Sequence, residues 1–154
     1  MSETVHGTAV LAGALGVLLR GRPGSGKSML AARLIGRGAR LVADDRLHLS
    51  ACHGRILASP HASIAGRIEL RGRGILTVAF ERSAVIRLVV DCVADEDLER
   101  LPDDTHLQTI ILGLALPRQA VPQASDHALM LVGAALAALS PQCNMNLRSA
   151  RVWG

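Results

Sequence analysis

Residues 21–28 read Gly-Arg-Pro-Gly-Ser-Gly-Lys-Ser, which matches the phosphate-binding pattern GxxxxGK[ST] at every position. Glycines let the backbone curl so that successive N–H groups point at phosphate oxygens, and the helix that follows adds its positive N-terminal end. In this pattern Lys27 reaches the β- and γ-phosphates, and the Ser28 hydroxyl binds Mg²⁺. The alternative is a flexible loop that matches by chance. The motif predicts a nucleotide-phosphate site formed by Gly21, Arg22, Pro23, Gly24, Ser25, Gly26, Lys27 and Ser28.

The residues on both sides of this loop predict the structure that supports it. Apolar runs at His6–Leu11 and Gly16–Arg20 predict a β-hairpin whose second strand is buried on both faces. Apolar residues at helical spacing predict a helix over Lys27–Arg37, and the run Leu41–Ala43 predicts a short buried strand. A strand, a glycine loop, a helix and a strand within roughly 40 residues form a βαβ unit, so we expect an α/β fold.

The rest of the chain is expected to complete one domain over residues 1–140. The 154 residues are 49% apolar, which is enough for a single buried core. Residues 141–154 show no periodicity and are predicted to form a flexible tail. The other predicted elements are a hairpin of His48–Ser50 with Arg55–Ala58, a core strand over Ile86–Val93, a strand over Leu107–Leu116 ended by Pro117, and a helix over Asp126–Leu139 with Ser125 as its N-cap.

Charge is divided unevenly along the chain. Residues 1–87 carry 13 basic and 5 acidic side chains, whereas residues 88–154 carry 4 and 8. The basic half can attract phosphates, nucleotides or an acidic protein, or its arginines can simply be solvated. Sixteen of the basic residues are Arg and only Lys27 is Lys, which favours a site that needs a compact, flexible ammonium. Phe80 and Trp153 are the only aromatic residues, which disfavours modules that bind nucleic acids by base stacking.

Cysteine spacing and hydropathy predict a cytoplasmic protein that does not enter a membrane. Cys52, Cys92 and Cys143 form no CxxC pair and no metal-ligand spacing, and we expect them to be reduced and buried. The longest apolar run, Ala128–Leu139, is shorter than the ~20 residues that a membrane-spanning helix needs.

Two adjacent carboxylates, Asp44 and Asp45, follow the predicted strand that comes after the helix. In P-loop proteins an acid at a strand end can hold the metal, directly or through water. Two acids permit one to face Mg²⁺ and the other to act as the base for an incoming hydroxyl, and crowding can raise the pKa of one of them. The alternative is a solvated turn or a helix cap.

Four further residues are candidates only in combination. His6 could contact a proton or a phosphate, although a lone His is more often structural. Glu69 could supply a second carboxylate for the metal and Arg71 could bind phosphate, or the two could form a surface salt bridge. Arg100 lies in an acidic run, where an arginine is ordinarily part of a solvated ion pair.

Four blocks of this sequence together resemble a known family. Val5-His6-Gly7, the loop at 21–28, RGARLVADDR at 37–46 and IELRGRGI at 68–75 are similar in order and spacing to the catalytic domain of HPr kinase/phosphorylase. The family phosphorylates a serine of HPr, the carrier protein of the bacterial phosphotransferase system. The resemblance runs from about Val5 to Leu139. It implies a P-loop α/β domain related to phosphoenolpyruvate carboxykinase, often assembled as hexamers.

The resemblance also implies roles for individual residues. Lys27 and its loop would hold the phosphates of ATP, and Ser28 and Glu69 would be the Mg²⁺ ligands. Asp45 matches the acid/base that accepts the serine proton in the kinase direction. His6 and Lys27 match catalytic positions, and Arg100, in the segment DLERL, matches a catalytic arginine. The segment 68–75 is tied to both the forward and the reverse reaction.

Two departures from the family pattern shape the expectation. The usual member carries a further N-terminal domain, whereas this chain begins just before the histidine block and resembles the short, single-domain form of alphaproteobacteria. The family's PVRPGRN-like segment, associated with dephosphorylation, is replaced by VPQASDH at 121–127, which lacks the arginine and the glycine. The resemblance therefore implies the kinase reaction and leaves open the reverse phosphorolysis, the type of HPr, and the choice between ATP and pyrophosphate.

Three other functions are compatible with parts of the sequence. The same loop could serve a kinase that acts on a small-molecule hydroxyl, with the Arg-rich middle supplying a substrate pocket. A non-catalytic nucleotide sensor is possible, although Glu69 and the acidic pair argue against it. Nucleic-acid binding is supported by charge alone, since no recognition motif accompanies the basic half.

Overall fold

The computed structural model describes residues 1–61, 65–123 and 125–139. Strands are the commonest regular structure in the described chain, and two α-helices cover one side of the main sheet. The elements are β1 (Ser2–His6), β2 (Thr8–Ala12), β3 (Leu15–Arg20), α1 (Lys27–Ile35), β4 (Arg40–Ala43), β5 (Arg46–Cys52), β6 (Arg55–Pro60), β7 (Arg67–Leu70), β8 (Gly74–Thr77), β9 (Ala84–Cys92), β10 (Gln108–Ile111), β11 (Leu114–Val121) and α2 (Asp126–Leu139).

The main sheet has the strand order β1-β5-β6-β9-β3-β2-β4, and the β10–β11 hairpin joins it through β11 beside β9. Strands β3, β9 and β11 run parallel, so their carboxyl ends meet at one edge of the sheet. Strand β3 lies inside the sheet and is buried on both faces, as its continuous apolar run predicts. The phosphate-loop motif therefore begins at the carboxyl edge of a central strand.

Two apolar cores lie on the two faces of this sheet. The first contains the buried sides of α1 and α2 together with alternate residues of the central strands. The second contains only residues from strands, because the curved sheet brings β4 against β6 and β2 against β5. The helices are therefore confined to one face, and the other face of the sheet is covered by the sheet itself.

The predicted first strand over His6–Leu11 is wrong in its boundaries. Gly7 interrupts it, so that His6 ends β1, which pairs with β5, while Thr8 begins β2. A Cβ at Gly7 would lie 3.1 Å from the Leu19 carbonyl oxygen, which explains why a glycine connects β1 to β2. The predicted βαβ unit is present in chain order, but β2 lies between its two parallel strands.

The predicted single strand over Leu107–Leu116 is also wrong. Leu112 and Gly113, with φ of 48° and 79°, form a two-residue turn that divides the segment into β10 and β11. Pro117 does not end the strand but lies within β11. It precedes Arg118, the first residue paired with β9, so its missing N–H lies outside that ladder.

Several predicted elements are confirmed. The hairpin of β5 and β6 turns at His53-Gly54, the core strand appears as β9, and helix α1 ends at Ile35, two residues earlier than predicted. Helix α2 has the predicted bounds, and the Ser125 hydroxyl accepts a hydrogen bond from the Ala128 N–H at 3.3 Å, as an N-cap does. The predicted flexible tail lies outside the described residues.

The three cysteines differ in their surroundings. Cys92 is buried as predicted, Cys52 is exposed because it ends β5 at a hairpin turn, and Cys143 lies outside the described residues.

Neither helix in the described part of the chain has the length and hydropathy needed to cross a bilayer.

Candidate active site

The loop between β3 and α1 has the conformation that its glycines allow. Gly24 and Gly26 have φ of 80° and 93°, a region that side-chain-bearing residues rarely adopt. Gly26 is the N-cap of α1, and its carbonyl accepts the Leu30 N–H at 2.9 Å. A side chain at Gly21 would collide with the Ser25 hydroxyl and approach the Cys92 carbonyl oxygen. The loop is therefore closely packed against Cys92 at its start and curled at the N-terminus of α1.

The ammonium group of Lys27 lies across the mouth of this loop. Its Nζ donates to the carbonyl oxygens of Gly21 at 2.5 Å and Arg22 at 3.2 Å. Both acceptors are neutral, and the charged oxygens of a phosphate are stronger acceptors for an ammonium donor. Lys27 is thus held at the loop by bonds that a bound triphosphate can replace.

A buried hydroxyl in the loop fits an anionic ligand. The Ser25 Oγ is buried, lines the cavity described below and has no hydrogen-bond partner among the described residues. An unsatisfied buried hydroxyl is costly, and a phosphate oxygen in the loop would accept a hydrogen bond from it. The donor groups of the loop therefore suit a phosphate group.

Asp44 connects three elements around the start of α1. One of its carboxylate oxygens accepts the hydroxyls of Ser28 at 2.8 Å and Thr8 at 2.9 Å, and the other accepts the Glu69 N–H at 3.2 Å. The side chain is 7% exposed. A buried carboxylate in contact with the P-loop serine has the position of a metal-associated acid in P-loop proteins.

Asp45, the next residue, is exposed and turned in another direction. Its φ of 72° is uncommon for a residue other than glycine, although Asp tolerates it better than most. The turn is held by the Gly7 N–H, which donates to the Asp45 carbonyl at 3.1 Å. This backbone turn separates the two adjacent carboxylates, so that one is buried and the other faces the cavity.

A cavity of about 330 Å³ brings most of the candidate residues together. The β7–β8 hairpin, packed on α1, contributes two of them. The lining consists of Thr8, Pro23, Gly24, Ser25, Gly26, Lys27, Ser28, Met29, Asp45, Glu69 and Arg71.

His6 and Arg100 are not part of this lining. His6 is exposed at the end of β1, paired with Arg46 and next to the Gly7–Asp45 contact. Arg100 is exposed in the segment between β9 and β10 and does not line the cavity. The structure therefore brings Asp45, Lys27 and Glu69 to one cavity, but does not bring these two residues there.

Two contacts were not found by sequence reasoning, one in the cavity lining and one on the strands that support the loop. Thr8 donates to Asp44 across 36 positions, and nothing near Thr8 in the sequence indicates that contact. Asp91, at the end of β9, forms ion pairs with Arg20 at 2.7 Å and Arg118 at 2.5 Å. An acid that follows the apolar run of a core strand was the only available signal for Asp91.

The pKa values of Asp91 and its neighbour Cys92 are shifted in opposite directions. Burial raises the pKa of Asp91, but the hydrogen bonds from Arg20 and Arg118 outweigh burial and leave the pKa below 3.8. Burial raises the pKa of Cys92 to about 11, despite the opposing effect of the Lys27 charge. The Cys92 thiol is therefore neutral at pH 7 and is not a nucleophile.

The donors around the P-loop serine are chemically suited to Mg²⁺. Among the described residues no group of three or more His, Cys, Asp or Glu side chains could enclose a metal ion. Mg²⁺ does not require such a cage, since it usually binds one or two protein oxygens together with phosphate oxygens and waters. Ser28, Asp44 and Glu69 supply hydroxyl and carboxylate oxygens of that kind.

Comparisons with known proteins agree on one family. A model of the HPr Serine kinase C-terminal domain matches residues 1–151. The chain is 34% identical to HPr kinase/phosphorylase of Clostridium beijerinckii over 77% of this chain and 42% of that protein. It is 33% identical to HPr kinase/phosphorylase of Limosilactobacillus reuteri over 84% of this chain and 44% of that protein. The chain thus spans less than half the length of these curated relatives.

A solved structure supports the same fold. The structure of the Hpr(Ser) kinase/phosphatase from Coxiella burnetii matches with a TM-score of 0.78 and 26% identity, covering 91% of this chain and 99% of that chain. The expected α/β P-loop kinase domain is thereby confirmed.

Proposed function

The chain belongs to the HPr Serine kinase C-terminal domain family, and on that premise we propose that it transfers the γ-phosphoryl group of ATP to a serine hydroxyl of an HPr-type phosphocarrier protein. One observation carries the proposal: the Lys27 ammonium and the Asp45 carboxylate line the same cavity. A passive nucleotide binder needs the ammonium, but it has no use for an exposed carboxylate that a turn with positive φ directs into the same cavity.

In the proposed reaction the loop at 21–28 binds the phosphates through its N–H groups and Lys27 Nζ. Asp45 accepts the proton of the acceptor serine as the serine oxygen bonds to the γ-phosphorus. The bond from that phosphorus to the β–γ bridging oxygen breaks, and ADP leaves. Ser28, Asp44 and Glu69 would hold Mg²⁺, which when bound neutralises charge on the β- and γ-phosphates.

The remaining candidates have secondary roles in the proposal. Arg71, in the cavity lining, contacts phosphate, and His6 acts from the end of β1 beside the Asp45 turn. Arg100 lies in the segment between β9 and β10 and does not line the cavity. We include it only because its surrounding sequence matches the family.

We propose further that the domain acts in the cytoplasm as a homo-oligomer, a hexamer by family resemblance, and binds neither nucleic acid nor membrane. The C. beijerinckii and L. reuteri relatives carry the name phosphorylase as well as kinase. The reverse reaction, in which inorganic phosphate removes the phosphate from HPr, is tested together with the kinase reaction.

The direct test incubates the purified chain with Mg²⁺, ATP and HPr from the same cell, and locates phosphate by mass spectrometry. We expect one phosphate on one serine of HPr. Addition of excess inorganic phosphate then tests the reverse reaction. Label on a metabolite instead of HPr would identify a small-molecule kinase, and nucleotide binding without any transfer would identify a sensor.

A further inference from the structure

The β7–β8 hairpin has two faces of different character. Ile68, which is 1% exposed, pairs with Leu76, and both pack on the core beside α1. Glu69 pairs directly with Ile75, so these two side chains lie together on the opposite, outer face. The hairpin is thus anchored by its inner face and presents its outer face to solvent.

Ile75 breaks the alternation that such a hairpin should show. Its side chain is 70% exposed, whereas the other outer-face residues, Arg67, Glu69 and Thr77, are polar. A single exposed apolar residue is common on protein surfaces. This one, however, is the cross-strand neighbour of Glu69, which lines the proposed active-site cavity.

The turn of the hairpin adds positive charge around Ile75. Arg71 and Arg73 are exposed on either side of Gly72, and neither forms an ion pair within the described ranges. A Cβ built at Gly72 or Gly74 would meet nothing within 4 Å, so the turn projects into open space. An apolar side chain flanked by unpaired guanidinium groups suits a protein surface that is apolar at its centre and acidic around it.

We propose that the outer face of the β7–β8 hairpin is the docking surface for the acceptor protein, with Ile75 contacting an apolar side chain next to the phosphorylated serine. This inference rests on the proposed function and specifies how the acceptor is chosen. Because Ile75 is the cross-strand neighbour of Glu69, a protein whose serine enters the cavity at Glu69 can contact Ile75 as well. A small metabolite would leave Ile75 exposed, whereas a protein surface buries it. Arg73 pairs with acidic groups of the same partner.

The test compares Ile75→Ser with Ile110→Ser, a matched control because Ile110 is 72% exposed on β10 and lies outside both the hairpin and the cavity lining. Serine is neutral, so neither variant changes the charge near the nucleotide. We expect Ile75→Ser to raise the KM for HPr about tenfold, which corresponds to the burial of an isoleucine side chain. Its kcat and its Kd for ATP should stay within about twofold of wild type, and Ile110→Ser should match wild type.

A second variant tests the charged part of the surface. Arg73→Ala should also raise the KM for HPr, and the KM of this variant should depend less on ionic strength than that of the wild type. An unchanged KM in both hairpin variants would overturn the inference while leaving the proposed function intact. An equal loss of ATP affinity in Ile75→Ser would also overturn it, because the residue would then be structural. No transfer to HPr by the wild type would overturn the proposed function and this inference together.

Discussion

At the scale of single residues, the site depends on two neighbouring carboxylates in different surroundings. Asp44 is buried and accepts three hydrogen bonds, including one from the P-loop serine. Asp45 is exposed to the cavity by a turn with positive φ. The two side chains therefore cannot exchange roles, although they are adjacent and identical in the sequence.

The role of Asp45 as the base is tested by Asp45→Asn. Asn tolerates the same backbone conformation, so the turn should survive. We expect kcat for serine phosphorylation to fall at least ~100-fold, the usual contribution of a general base, while the Kd for ATP changes less than about twofold. Steady-state kinetics and titration calorimetry supply the two numbers. Turnover near the wild-type rate would show that Asp45 is not the base.

Lys27→Ala, unlike Asp45→Asn, should weaken the binding of ATP. Removal of the only ammonium in the loop takes away a charged donor to the phosphates, so ATP affinity should fall about tenfold or more. The measurement is calorimetric titration with ATP and, as a control, with adenosine, whose affinity should not change. An unchanged affinity for ATP would contradict the proposed role.

At the scale of elements, the carboxyl edge of the sheet is held by an ion-pair cluster. Asp91 on β9 binds Arg20 at the end of β3 and Arg118 on β11, and Arg118 also donates to the His106 carbonyl at 2.9 Å. The cluster therefore joins the strand before the phosphate loop to the segment that contains Arg100.

Asp91→Asn should destabilise the fold by about 2 kcal/mol near neutral pH, because two partly buried guanidinium groups lose their carboxylate. The folded-state pKa of Asp91 lies below 3.8, so this stabilisation is present above pH 3.8 and is lost as pH falls through the folded pKa. Urea unfolding from pH 7 to pH 3 gives the free energy of unfolding of both proteins. The difference between the two free energies should be constant above about pH 4 and should shrink below it. A difference that grows as the pH falls would contradict the assignment.

Elements set by local patterns were predictable, and elements set by distant partners were not. The loop at 21–28, strand β9 and helix α2 follow from contiguous residue patterns. The break at Gly7 depends on the Leu19 backbone, and the turn at Leu112-Gly113 has no residue before the glycine that favours positive φ. For the site, sequence reasoning identified the cavity acids but not Thr8 or Asp91, whose partners lie 27 or more positions away.

At the scale of the whole molecule, the proposed assembly is measurable independently of activity. Sedimentation equilibrium of the 16.2 kDa chain should yield a mass about six times that of the monomer. If the assembly supports catalysis, specific activity should fall when dilution dissociates it. A monomer at high concentration with full activity would contradict the hexamer and would leave the site proposal standing.

The central claim is that a triphosphate held by the P-loop ends beside a carboxylate able to deprotonate a serine. A crystal structure of the chain with Mg²⁺ and a non-hydrolysable ATP analogue tests it most directly. We predict the γ-phosphate within the cavity, in contact with Lys27 Nζ and facing the Asp45 carboxylate, with Ser28 and Glu69 on the metal side. A triphosphate bound outside the loop, or an Asp45 side chain directed away from the γ-phosphate, would contradict the account.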